Sequence, residues 1–206
     1  MTEKIEKHPD AKALIFDCDG TLADNEDLHL KAWQQGIAKW GHRFSREFLV
    51  EMSGIPTRET IKEFNHRYGS EIDPEEFFQY KEKLANKILD HCKPFADTVA
   101  LVNKYYKILP MAVVSGGIAM HVHKTLEVIG IEDKFQCILT ADTPVAPKPS
   151  PDIFLMASKD LGVEPQYCQV FEDAIPGIEG AKQAGMLWTN VRELRIRDDA
   201  MTMSNN

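Results

Sequence analysis

Five short apolar runs of strand type punctuate the chain: "ALIFD" (13–17), "MAVVS" (111–115), "FQCIL" (135–139), "CQVFED" (168–173) and "MLWTN" (186–190). Helical patterns separate the last four. "IAMHVHKTLEVIG" is amphipathic and stops at Gly130. "SPDIFLMASKDLG" opens with Ser150 as N-cap and Pro151 at the first helical position, and stops at Gly162. "PGIEGAKQAG" stops at Gly185. Apolar strands alternating with helices predict an α/β fold with a doubly wound, Rossmann-like parallel sheet.

One connection is too long for a simple crossover. About ninety residues separate the first strand from the second. Helical patterns fill this stretch: "EDLHLKAWQQGIAKWG" to Gly41, "TRETIKEFNHRYG" to Gly69, and "DPEEFFQYKEKLANKILDHC". The last opens with Asp73 as N-cap, Pro74 at the first helical position, and Glu75 and Glu76 in the first turn. Residues 24–94 read as an α-helical cap domain inserted into a discontinuous core, 1–23 and 95–206. Trp33, Trp40, Phe77 and Phe78 are assigned to the cap's own core. Asp97 is expected to cap the returning helix "TVALVNKYY", Asp24 to stabilise the turn into the cap, and the tail "RIRDDAMTMSNN" to fray.

A chain of 206 residues with 43% hydrophobic content can bury one sizeable core plus a small insertion. Its formal net charge of −8 opposes general nucleic-acid binding, which relies on Lys and Arg against phosphate. The opening "MTEKIEKHPDAK" lacks the apolar segment of a signal peptide, and no run reaches the roughly 20 apolar residues of a membrane span. A cytoplasmic protein with no membrane partner is expected. The cysteines at 18, 92, 137 and 168 show no C-x-x-C spacing, so neither a disulfide framework nor a zinc site is expected. His121 and His123, two apart on a helix, do not share a face.

Ligands of open α/β sheets bind beyond the carboxyl ends of the strands. Asp17 ends the first strand here, with Asp19 in the next turn. Ser115 ends the second and precedes Gly116 and Gly117; Glu172 and Asp173 end the fourth. The loop "TADTPVAPKP" carries Lys148. In a parallel sheet all these groups meet at one edge, where the acids outnumber the lysine. A hard divalent cation such as Mg²⁺ would neutralise the excess. Asp17 is then placed to attack phosphorus, and Asp19 to protonate the leaving oxygen and deprotonate water. Ser115 and the amides of Gly116 and Gly117 are candidates for phosphoryl oxygens, Lys148 for charge balance, and Thr21 for a further hydrogen bond to phosphate.

"DCDGTL", "VVSGG", "PKPSPDIF" and "FEDAIPGI", in this order, resemble the four motifs of the haloacid dehalogenase-like (HAD) phosphatase superfamily. The likeness spans about residues 12–192, and the helical insertion resembles that superfamily's small α-helical cap. The resemblance implies Asp17 as nucleophile and metal ligand. It implies Asp19 as general acid/base with its backbone carbonyl on Mg²⁺, and Asp173, with Glu172, completing the metal site.

Within the superfamily the chain is most similar to the subgroup of β-phosphoglucomutase and the sugar phosphatases for fructose 1-phosphate or 6-phosphogluconate. "HLKAW", "PMAV" and "KPSPDIF…VFEDA" resemble the phosphatases. His29, and Arg58 in "GIPTRET", match substrate-binding cap positions of the mutases; Lys81 and Lys83 are further candidates. The mutases typically carry Ser-Lys-Asn after the second motif, where this chain has Gly117, Ile118 and Ala119. That departure favours hydrolysis over mutase activity. A catalytically idle phospho-metabolite sensor is a third reading, opposed by the complete motif set. The dehalogenase branch is opposed by Asp19. The expected partner is a small phosphorylated metabolite, the expected state a monomer or weak dimer. Hinges for a closing cap are expected near 22–25 and 93–96.

Overall fold

The structure, a computed structural model, describes residues 5–52, 55 and 57–204. Gly54 and Pro56 of "GIPTRET", the first four residues of the polar leader and the last two of the tail lie outside the described residues. By contact density the chain divides into two units, Met1–Asp24 with Cys92–Asn206, and Asn25–His91.

The strands are β1 (Ala13–Phe16), β2 (Ala23–Asp24), β3 (Lys93–Pro94), β4 (Met111–Val114), β5 (Cys137–Leu139), β6 (Cys168–Glu172) and β7 (Leu187–Asn190). The larger unit carries one sheet in the order β5-β4-β1-β6-β7, with every neighbouring pair parallel. All five apolar runs of the sequence are in it. β1 lies at the centre and is buried on both faces, which accounts for its unbroken apolar run. Alternate residues serve opposite layers. Leu14 and Phe16 pack with Val113, Phe171, Leu101 and Leu126. Ala13 and Ile15 pack with Val114, Val170, Phe154 and Ala181. Phe16 stacks on Phe171 with ring centroids 4.8 Å apart. The sheet is thus doubly wound, with strand order reversing on either side of β1.

The helices are α1 (Glu26–Ala38), α2 (Arg46–Glu51), α3 (Thr57–Tyr68), α4 (Pro74–Ile88), α5 (Ala96–Tyr105), α6 (Ala119–Val128), α7 (Asp152–Leu161), α8 (Ile175–Gln183) and α9 (Val191–Ser204). The first four form the smaller unit around Ile37, Phe44, Phe48, Ile61, Phe64, Ile72 and Phe77, flanked by Trp33 and Trp40. Asp73 caps α4 by accepting the amide of Glu76 at 2.7 Å, with Pro74 beginning the helix. Phe78 is not part of this cluster; its ring instead receives the Arg58 guanidinium, 3.6 Å from its centroid.

Three local expectations are corrected. α5 starts two residues earlier than a cap at Asp97 requires, because the Phe95 carbonyl already takes the amide of Val99. Asp97 therefore lies in the first turn, where its carboxylate accepts the Thr98 amide at 2.7 Å. α7 begins at Asp152, although Pro151 already has helical angles and Ser150 Oγ accepts the Asp152 amide at 3.3 Å. The tail 195–206 read as frayed continues helix α9 through Ser204, with Arg195 at its start bonded to the distant Gly20 carbonyl.

Candidate active site

Asp17 is the first residue beyond β1, and its amide is still hydrogen-bonded to the Phe171 carbonyl of β6 at 3.0 Å. The chain then turns sharply. The Cys18 carbonyl accepts the amides of Thr21, Leu22 and Ala23, and Gly20 adopts φ +81°. Glycine at 20 answers two demands. It tolerates the left-handed backbone, and a Cβ there would lie 2.5 Å from Oδ2 of Asp173.

The carboxylates of Asp17, Glu172 and Asp173 are buried, with one oxygen of each within 4.8 Å of the others. Lys148 enters this group. Its Nζ donates to Oδ1 of Asp17 at 2.8 Å, to Oε1 of Glu172 at 2.6 Å and to the Val114 carbonyl at 3.0 Å. Those three acceptors use all three ammonium protons. Burial works against the ammonium, yet Asp17 and Glu172 outweigh it and hold Lys148 above the usual lysine range. Burial also pushes the Asp17 carboxyl well up; Lys148 opposes this, and Glu172, Asp173 and Asp19 reinforce it.

Glu172 is engaged on both oxygens, by Lys148 and by the amide of Ala174 at 2.8 Å. It lies so close over α8 that a Cβ on Gly177 would be 1.8 Å from its Oε1. Asp173 takes the Thr21 hydroxyl at 3.4 Å and the guanidinium of Arg192. Thr21 is fully buried, so its hydroxyl supports the acidic cluster from within the fold.

Asp19 lies outside the three-carboxylate group and near the turn after β4. A Cβ on Gly117 would be 3.3 Å from both Oδ2 of Asp19 and Oγ of Ser115. Ser115 is buried, and its Oγ accepts the Gly117 amide at 3.0 Å; Gly116 is exposed. The Lys148 loop is fastened to this turn. The Ala141 amide donates to the Gly117 carbonyl at 2.9 Å, and Oδ2 of Asp142 accepts the Ala119 amide at 2.7 Å, capping α6 from outside. Asp17, Asp19, Thr21, Ser115, Gly116, Gly117, Lys148, Glu172 and Asp173 thus gather at the carboxyl ends of β1, β4 and β6.

The remaining candidates belong to the helical unit. Nε2 of His29 is 3.3 Å from the side-chain amide of Asn25. Arg58 pairs with Glu75 and is partly exposed. Lys81 is buried and paired with Glu82 at 2.8 Å, whereas Lys83 is exposed.

A family model described as "haloacid dehalogenase-like hydrolase" matches residues 14–191. The chain belongs to this family. Among its curated relatives is the fructose-1-phosphate phosphatase YqaB of Escherichia coli, 33% identical over 182 residues, covering 88% of this chain and 96% of that one. A β-phosphoglucomutase of Bacillus subtilis is 29% identical over 188 residues, covering 87% and 83%. The solved β-phosphoglucomutase of Clostridium difficile aligns with a TM-score of 0.73 at 29% identity, covering 86% of this chain and 83% of that one. The chain is an enzyme of the haloacid dehalogenase-like family, a phosphoric monoester hydrolase. Among the described residues no helix is long and apolar enough to cross a membrane.

Sequence reasoning missed Gly177, Asp142, Arg192 and Arg195. Gly177 carried a visible signal, a glycine in the first turn of a helix four residues after an acid pair. The two arginines carried none, since nothing local ties α9 to Gly20 or Asp173.

Proposed function

We propose that this enzyme is a magnesium-dependent phosphatase for a small phosphosugar or sugar-acid phosphate, of the fructose 1-phosphate or 6-phosphogluconate type. The observation that carries this reading is the buried group of Asp17, Glu172 and Asp173 around Lys148. Similarity to YqaB over nearly the full length of both chains supports the substrate class.

The residues fit a magnesium ion. Three buried carboxylates meet there, Lys148 bridging Asp17 and Glu172 while Arg192 reaches Asp173; the donors are all oxygen, and Gly20 leaves room where a Cβ would press on Asp173. Asp17, Asp173 and the Asp19 carbonyl would hold the ion, with Glu172 behind them fixing Lys148. When bound, it supplies positive charge to the phosphoryl oxygens.

The chain's own groups divide the chemistry. A carboxylate oxygen of Asp17 attacks phosphorus and the bond to the sugar oxygen breaks, with Asp19 giving that oxygen a proton. Water then attacks the aspartyl phosphate, Asp19 takes its proton, and the bond between phosphorus and Asp17 breaks. Lys148 orients Asp17 and offsets its charge, and Ser115 with the amide of Gly116 holds phosphoryl oxygens, the Gly117 amide being engaged by Ser115 Oγ. His29 and Arg58 are assigned to substrate preference.

A phosphate-release screen over phosphorylated sugars tests the reading. Turnover is expected in wild type, lost with EDTA, restored by Mg²⁺ and absent in Asp17→Asn. Wild-type turnover in Asp17→Asn, or full activity without metal, overturns it. Similarity to β-phosphoglucomutases favours a second reading, a phosphosugar mutase. Incubation with β-glucose 1-phosphate and a trace of the bisphosphate separates the two. Free phosphate supports the phosphatase, and glucose 6-phosphate without free phosphate supports the mutase.

A further inference from the structure

α9 follows β7 directly, and its first turns carry Arg192 and Arg195, three apart and so on one face. Arg192 reaches Asp173. Arg195, largely buried, reaches the turn that follows Asp19. Its Nη1 donates to the Gly20 carbonyl at 2.8 Å and its Nη2 to the Thr21 carbonyl at 3.0 Å. The Asp97 carboxylate receives Nε at 2.9 Å and Nη2 at 2.8 Å, and the Phe95 ring lies 3.6 Å from the guanidinium carbon. Thr98 Oγ1 donates to the same Thr21 carbonyl at 2.7 Å.

This arrangement has a physical logic. The Cys18 carbonyl gathers the amides of the turn, while the Gly20 and Thr21 carbonyls are taken up by Arg195 and Thr98. A guanidinium can bond two successive carbonyls and both oxygens of a carboxylate at once because its five donors form a rigid fork; these four bonds exceed the three donors of an ammonium. Asp97 neutralises the charge of Arg195, so its effect on the site is geometric.

We propose that Arg195 is a positioning residue. It holds the Gly20–Thr21 turn so that the preceding Asp19 keeps its place as proton donor, with Asp97 in turn holding Arg195. The proposal rests on the hydrolase reading with Asp19 as general acid.

The test compares kcat/KM for p-nitrophenyl phosphate and phenyl phosphate with Mg²⁺, using the full chain. The first has a good leaving group and depends little on a proton donor; the second depends on it more. Turnover by wild type, none by Asp17→Asn, and a loss in Asp19→Asn that is larger on phenyl phosphate than on p-nitrophenyl phosphate check the underlying reading separately. Arg195→Lys keeps the charge opposite Asp97 and loses the fork. Its kcat/KM on phenyl phosphate is expected to fall about tenfold or more, and clearly less on p-nitrophenyl phosphate, with the melting temperature near that of wild type. Arg195→Ala is expected to show the same selective loss, with guanidinium ions partly restoring it. If Arg195→Ala does not fold, Arg195→Lys and Asp97→Asn carry the test. Wild-type kinetics in a folded Arg195 variant, or equal losses on both esters, overturn the proposal.

Discussion

Nζ of Lys148 lies 2.8 Å from Oδ1 of Asp17, a contact between residues 131 positions apart. Both side chains are about nine-tenths buried. Removing the cation would leave Asp17 and Glu172 facing each other without it. Lys148→Ala is therefore expected to cost about 3–5 kcal/mol, the usual result of breaking a buried pair, and to reduce turnover at least about a hundredfold. Adding Asp17→Asn should recover part of the stability without recovering turnover. Urea unfolding of the two variants checks this, and strictly additive losses would count against the coupling.

Gly177 offers a sharper test, because substitution there should have the opposite sign from the usual one. Glycine to alanine within a helix normally stabilises by about 1 kcal/mol. Here the new Cβ would fall 1.8 Å from Oε1 of Glu172 and 2.2 Å from its Cδ. The carboxylate must move, and with it the bonds to Lys148 and the Ala174 amide. Gly177→Ala should destabilise by about 1–3 kcal/mol and lower turnover, as thermal unfolding and a kinetic assay will show.

The Asp97–Arg195 pair makes a pH prediction. Burial works against the Asp97 carboxylate, but Arg195 and the Thr98 amide outweigh it and hold its carboxyl below the ordinary 3.8. The unfolded chain then binds this proton more readily than the folded one. The pair's contribution is present above that ordinary value and lost as pH falls through the lowered one. Asp97→Asn should lower the melting temperature at neutral pH by about 1–3 °C, a small effect because the carboxylate is part exposed. The difference from wild type should shrink in strong acid, as calorimetry across pH will show.

Metal removal should act on stability as well as turnover. Buried carboxylates that repel one another in the metal-free protein are expected to make Mg²⁺ raise the melting temperature, with EDTA reversing it. The Arg192 guanidinium on Asp173 competes with a cation for that carboxylate. Arg192→Ala should therefore bind Mg²⁺ more tightly by a few-fold, read by calorimetric titration; weaker binding would instead make Arg192 an orienting partner of Asp173.

Much of this was legible in the sequence. Buried parallel strands write themselves as continuous apolar runs, and a ligand edge at their carboxyl ends follows from topology, so Asp17, Ser115, Glu172 and Asp173 could be placed together. Contacts set by docking could not be read. α9 looks polar and terminal, and only the fold brings Arg195 to Gly20. Thr21 suited a phosphate on chemistry, yet burial turns its hydroxyl to Asp173. Phe78 follows Phe77 on α4, and a one-residue step around a helix moves it from the core to the ring beneath Arg58.

In the proposed mechanism the phosphoryl group passes through a covalent bond to Asp17. The stereochemical course at phosphorus tests it most directly, using a monoester made chiral with oxygen isotopes and hydrolysed in isotopic water. Two in-line displacements, by the carboxylate and then by water, predict retention of configuration. Inversion would mean a single direct attack by water on the ester, with no aspartyl phosphate at Asp17.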